Sequence, residues 1–279
     1  MDDREPSTFR PLRFWHGLQG LALAMVLLVA SALTLSLLFS DPSSADPRRW
    51  DITAFQLLAV QLCFTAAAVI VLRSRRVSLR AQGLWTTTRP AVVIPAALGV
   101  LPAGILCDQA VSLLHGLNPT LFSTQNLGDM AARISVASPG GFIGLCAVIA
   151  VTPAIGEELL FRGLLLRSFR ADMPGYFAAI YSSILFGAVH MDWAQGTSAA
   201  LLGIYLAFAA MMTGSLLSAA IAHALNNLAW CLFARFDADS VQRVVTTGWD
   251  PAVVAGAGVL TAAAVAGVVF LRRKPDYSS

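Results

Sequence analysis

The sequence predicts an all-α polytopic membrane bundle of about eight transmembrane helices, with both termini in the cytoplasm. Three observations carry this. Of 279 residues, 57% are hydrophobic and only 13% charged, against about 25% charged in an average soluble domain. The apolar residues gather into runs near the roughly 20 residues that span a hydrocarbon core. The basic residues fall in short stretches between those runs, as expected of cytoplasmic loops. The net charge of +3 is small and leaves no electrostatic footprint for nucleic acid.

Residues 1–14 are polar, with Arg4, Arg10 and Arg13 set against Asp2, Asp3 and Glu5. The first apolar run, residues 18–39, exceeds the roughly 7–15 residues of a signal-peptide core, so it reads as a retained membrane helix. Ser43-Ser44-Ala45 is the loose cleavage signal that supports the alternative. A Pro- and Asp-rich loop over 41–51 breaks the helix. The second helix covers 52–72, and the stretch after it holds Arg73, Arg75, Arg76, Arg80 and Arg89 with no acidic residue, which assigns it to the cytoplasm. The third helix, 91–108, contains Pro95 and Pro102 and is expected to kink. Residues 109–139 are mixed in character and read as an interfacial helix and a loop that roof a site.

The fourth helix, 140–170, is longer than a span requires, so it tilts or protrudes. Gly140 and Gly144 form a small-xxx-small pair suited to close packing. A turn at Asp172-Met173-Pro174-Gly175 leads to a fifth helix ending near His190. The sixth covers 197–213, Gly214-Ser215 makes a turn, and the seventh covers 216–236. A polar loop, 237–250, precedes the last helix, 251–271, and the tail carries Arg272, Arg273 and Lys274. Trp15, Trp50, Trp85, Trp193 and Trp249 fall near segment ends, as interfacial anchors do. An even number of spans returns the chain to its starting side, in agreement with the arginine bias. No internal repeat, low-complexity tract or soluble domain is visible.

Two adjacent glutamates interrupt the fourth apolar run. A carboxylate in hydrocarbon is costly and is a functional-site candidate by default. On a helix Glu157 and Glu158 point about 100° apart. Glu158 stands four residues before Arg162, the favourable order for an intrahelical ion pair, which leaves Glu157 to address another face. His190 and His223 are the histidines well inside apolar segments, and each has a partner four residues away, Phe186 and Asn227. Asn226, three residues from His223, also fits sterically. Counted from the turn near Asp172, Glu158 and His190 differ by only roughly 6 Å in depth, so they can meet. Taken singly each element has a structural reading: an ordering ion pair, a packing or relay acid, a histidine bonded to a carbonyl, a core phenylalanine. His16 and His115 lie near segment ends and receive no role.

Together the motifs EELLFR, FGAVH and HALNN resemble the EExxxR, FxxxH and HxxxN signatures of the type II CAAX prenyl endopeptidases and their bacterial relatives, the CAAX protease and bacteriocin-processing (Abi) family. The resemblance covers mainly residues 140–235, between an N-terminal membrane region, 1–139, and a closing loop, helix and basic tail, 236–279. It implies an intramembrane endopeptidase in which Glu157, with His190, activates water, His223 and Asn227 hold the oxyanion, and Glu158 and Arg162 order the site. Phe186 and Asn226 are supporting residues, and only the family pattern prefers Asn227 over Asn226. The implied substrate is a membrane-anchored protein or peptide, prenylated or not, met in the lipid bilayer, which is the plasma membrane if the source is bacterial.

This water chemistry needs no cofactor. A zinc site built from Glu157, His190 and His223 is the alternative, because imidazole and carboxylate both ligate zinc, although no HExxH helix is present. Cys63, Cys107, Cys146 and Cys231 are scattered singly without CxxC spacing and read as small core residues. The GxSxG elbow and phosphate-binding glycine loops are missing. The competing classes are a transporter using the same acids and histidines as a proton relay, which would often show an inverted repeat, and a catalytically silent immunity-type scaffold.

Overall fold

A computed structural model describes residues 12–38, 50–77 and 89–272. The expectations that concern Arg4, Arg10, Arg80, Trp85, the loop before residue 50 and the basic tail lie outside the described residues. Among those described, regular structure is entirely helical: α1 (Phe14–Leu38), α2 (Trp50–Ser74), α3 (Pro90–Leu98), α4 (Val100–Leu117), α5 (Gln125–Val136), α6 (Pro139–Cys146), α7 (Thr152–Glu158), α8 (Leu166–Arg170), α9 (Gly175–Ala188), α10 (Trp193–Thr213), α11 (Leu216–Phe236), α12 (Ala238–Thr247) and α13 (Pro251–Arg272). Two π-helical segments, Ala147–Val151 and Leu159–Leu165, join α6, α7 and α8 into one run.

Seven runs among the described residues are long and apolar enough to cross a membrane; the protein is an integral, multi-pass membrane protein. The eighth expected span is α9, which has only 14 residues, about 21 Å of helix. It nevertheless carries the chain from one end of the bundle to the other. Arg13 Nη1 lies 3.0 Å from Asp172 Oδ1, a Cβ on Gly175 would lie 3.7 Å from Met211 Sδ, and Arg272 Nη1 lies 3.5 Å from Met212 Sδ. Residue 13, the turn before α9, the end of α10 and Arg272 therefore share one end. Assignment of that end to the cytoplasm rests on the arginine bias.

The third span is longer than the sequence suggests, running from Pro90 to Leu117. Asp108 and Gln109 look like a helix end because they are polar, yet they face the loop after α12: Trp249 donates from its indole to Asp108 (3.3 Å) and from its backbone to Gln109 (3.0 Å). The kink is real. The helix divides at Gly99, and Tyr205 on α10 donates its hydroxyl to the Ala96 carbonyl (2.8 Å) beside the break. The region 109–139 contains a helix, α5, whose Ala131 and Ile134 are buried. Arg235 on α11 caps its C-terminal end, donating to the carbonyls of Ile134, Ser135 and Ala137.

The fourth span forms the centre of the bundle: half of its most apolar stretch is buried, against 11% for α1 and α13. Its packing glycines are not the expected pair. A Cβ on Gly140 would meet open space, whereas one on Gly141 or Gly144 would come within 2.8 or 2.7 Å of the Trp50 ring. The tightest crossing is between α9 and α10, where a Cβ on Gly187 would strike the Gly196 carbonyl and one on Gly203 would meet Ser183 and Phe186 at 3.0 and 3.1 Å.

Gly187→Ala is therefore expected to push α9 from α10 and lower stability by about 1–3 kcal/mol, the usual range for overpacking, measured as thermal unfolding in detergent. A second expectation concerns the clasp at the other end of α9. Asp172 accepts from the Phe14 backbone N–H (2.7 Å) and from Arg13 (3.0 Å), and those bonds, the backbone one first, hold its pKa below the usual value of 3.8. Because the folded value is depressed, the contribution is present above the unfolded pKa and disappears as pH falls through the lower folded one. Amide exchange at Phe14 should stay protected at pH 4 and accelerate in more acid solution, while Asp172→Asn should accelerate it already at neutral pH.

Candidate active site

The site begins with a proline. Pro153 has no N–H for the carbonyl of Ile149, four residues earlier, and a helix interior cannot leave that acceptor unsatisfied without cost. The backbone responds with the π segment Ala147–Val151, a local widening found at such interruptions. Thr152 donates its hydroxyl to the Val148 carbonyl (2.9 Å), and Asn227 of α11 donates Nδ2 to the Ile149 carbonyl (2.9 Å). The irregularity thus ties the fourth span to α11 about two helical turns before the acids. The expected helix over 140–170 is present as one run, Pro139–Arg170, with the π segments inside it.

Below this tie lie the charged residues. Glu157 is 6% exposed, Glu158 0%, Arg162 2% and His223 3%, so each must find its partners inside the protein. The predicted i,i+4 ion pair forms, with Arg162 Nη1 2.8 Å from Glu158 Oε1. Arg162 also donates Nη2 to the Gly203 carbonyl (3.0 Å) and lays its guanidinium over the Phe186 ring at 4.5 Å. His223 Nδ1 lies 2.9 Å from the same Glu158 oxygen, and its Nε2 faces Glu157 Oε2 at 3.8 Å. A carboxylate only accepts, so Nδ1 of His223 carries the proton. Phe186 is the core residue expected of it, standing edge-on to both His223 (5.9 Å) and His190 (5.2 Å).

His190 stands apart. It lies in the turn beyond α9, half-buried, with Nδ1 2.9 Å from the Phe186 carbonyl, and it makes no hydrogen bond or ion pair with either glutamate. The carbonyl acceptor again puts the proton on Nδ1 and leaves the lone pair on Nε2. Met191, the next residue, holds φ 54, a left-handed conformation uncommon outside glycine. Asp192 caps α10 through the Gln195 N–H and accepts from Asn126 of α5 (2.8 Å each), which places α5 beside this turn. Asn226 donates to the side-chain oxygen of Asn227 (3.2 Å).

Residues 139–229 match the family model described as Type II CAAX prenyl endopeptidase Rce1-like. Over these residues the chain is similar to the type II CAAX prenyl endopeptidases, a family of membrane proteases. The protein is accordingly a membrane-embedded peptidase acting on a peptide or protein substrate in a lipid environment. No curated protein and no solved structure matches the chain. Every residue of the CAAX motifs lies within the matched segment, but one contact of the site does not. Gln61 on α2 donates Nε2 to Glu157 Oε1 at 2.7 Å. Its signal in the sequence is weak, a neutral amide in a mostly apolar helix that also carries Gln56.

Among the described residues no group of three or more His, Cys, Asp or Glu side chains is arranged to hold a metal ion. Of the residues posed for a zinc site, Glu157 and His223 face each other at 3.8 Å, while His190 is bonded to the Phe186 carbonyl.

Removing the cation should be more damaging than removing any neutral neighbour. Arg162→Met would leave Glu158 buried beside His223 without its guanidinium, and breaking a buried pair from one side typically costs about 3–5 kcal/mol. Arg162→Lys would keep a charge but lose the fork that serves Glu158 and Gly203 together. Both should unfold earlier than wild type in detergent, Met before Lys.

Proposed function

We propose that this peptidase hydrolyses a peptide bond of a membrane-anchored protein or peptide, using a water activated at Glu157. The observation that supports the reading is His223 lodged between two buried carboxylates, bonded to Glu158 through Nδ1 and set 3.8 Å from Glu157 through Nε2. That second distance is too long for a direct hydrogen bond and suits one water bonded to both groups. Gln61 occupies Glu157 Oε1, so Oε2 is the oxygen that faces the reaction.

Glu157 takes a proton as the water oxygen bonds to the substrate carbonyl carbon. It returns that proton to the nitrogen as the C–N bond breaks. The negative charge moves from carboxylate to oxyanion, so no additional ion is created in the low-dielectric interior. His190 shares the activation of water in the family's pattern, and its Nε2 lone pair is the acceptor that this role needs. The oxyanion donors are His223, through Nε2–H when both ring nitrogens carry protons, and the second N–H of Asn227 Nδ2, the first being held by Ile149. Glu158 and Arg162 hold the imidazole in place rather than touch substrate.

The test is cleavage of membrane-anchored peptides, with and without a C-terminal prenyl group, by the purified protein in detergent. Wild type should cleave, Glu157→Gln should lower kcat by roughly 100-fold or more, and a chelator should leave the rate unchanged. Undiminished cleavage by Glu157→Gln would refute the assignment of the base, and chelator-sensitive cleavage restored by zinc would refute metal-free activation. The prenylated and unprenylated arms decide the substrate class.

A further inference from the structure

The residue that completes the Glu157 environment comes from outside the matched segment. α2 is apolar along most of its length, and Gln61 sits in its middle, 6% exposed. A buried amide in a membrane helix is retained where it has a partner. Here the partner is Glu157, 2.7 Å from Nε2. Since a carboxylate only accepts, the amide nitrogen must be the atom that faces it. Gln61 Oε1, on the other side of the amide, is buried with no hydrogen-bond partner. The amide orientation is therefore chosen for the carboxylate and for nothing else.

The backbone is built to allow the contact. A Cβ on Gly156 would lie 2.9 Å from the Gln61 carbonyl oxygen, 2.9 Å from Thr65 Oγ1 and 3.1 Å from Gln61 Oε1, so α2 rests directly against the residue before Glu157. Thr65 donates its hydroxyl to that same carbonyl (2.8 Å). Glycine at 156 is what lets the two helices approach closely enough for a glutamine to reach the acid.

We propose that Gln61 is a positioning residue for Glu157: by occupying Oε1 it locks the carboxylate so that Oε2 faces His223 and the reacting water. The inference rests on Glu157 being the water-activating base. It makes α2 part of the catalytic unit, although the family match begins only at residue 139.

Gln61→Met keeps the length and apolar bulk of the side chain and removes the donor; Gln61→Leu repeats the loss with a different shape. Both should lower kcat by roughly 10- to 100-fold, the scale of a misplaced reacting group, with KM within about twofold of wild type, since the residue touches no substrate. Independently of turnover, the infrared carboxyl band that disappears in Glu157→Gln should shift in Gln61→Met. Wild-type kcat with an unshifted band, or a loss confined to KM or to thermal stability, would overturn the proposal and leave Gln61 a packing residue. Should Glu157→Gln itself cleave normally, the base assignment fails, and the infrared band alone then decides whether Gln61 orients the acid.

Discussion

A guanidinium in the middle of a hydrocarbon-embedded bundle must be neutralised and hydrogen-bonded on the spot, and the structure around Arg162 answers that constraint. One nitrogen goes to Glu158, another to the Gly203 carbonyl, and the flat face to Phe186. Each contact fixes a different helix. Glu158 fixes the register of the fourth span and, through its shared oxygen, the ring of His223 on α11. Gly203 brings α10 close, which only a residue without a side chain permits. Phe186 fixes α9 and packs against both histidine rings. Such a set adds little net stability over an apolar core of equal volume; what it secures is the placement of each helix around one point.

The second organising device is an intentional defect. Pro153 frees a carbonyl, the π segment widens the helix, and Asn227 fills the open acceptor. An amide that the family's pattern assigns to the reacting carbonyl is thus first tethered to the backbone of the helix bearing the acids. The same economy appears at Gln61, whose neutral amide steadies an acid without adding charge. Both devices use amides, which can bind a carbonyl or carboxylate in lipid without the desolvation cost of a second ion.

The shortness of α9 follows from its work. Its 14 residues stop where Phe186 has met Arg162, and the chain then turns through His190 and the left-handed Met191 to the Asp192 cap. A full-length helix would carry His190 past the level of the site. Asp192 is in turn held by Asn126 on the amphipathic α5, so the surface helix and the turn with the second histidine are a single mechanical unit, facing the end of the bundle opposite the Arg13–Asp172 clasp.

Much was legible in the sequence because lipid is an unforgiving solvent. Apolar runs and arginine-rich loops reveal spans, and polar side chains within them reveal a site, since neither is tolerated by accident. That is why Glu157, Glu158, Arg162, His223 and Asn227 stood out, and why the intrahelical pair between Glu158 and Arg162 could be drawn from spacing alone. What spacing does not contain is the rotation and closeness of different helices. Whether His190 or His223 would face the glutamates, that Gly141 rather than Gly140 meets Trp50, that Asp108 and Gln109 remain helical against Trp249, and that Gln61 reaches Glu157 past Gly156 were all decided by interhelical packing. The sequence by itself determined which helices form and which carry charge, because those follow from local propensity and transfer into lipid; the tertiary structure alone decided which charges meet, because that depends on side-chain contacts between residues as much as 159 positions apart.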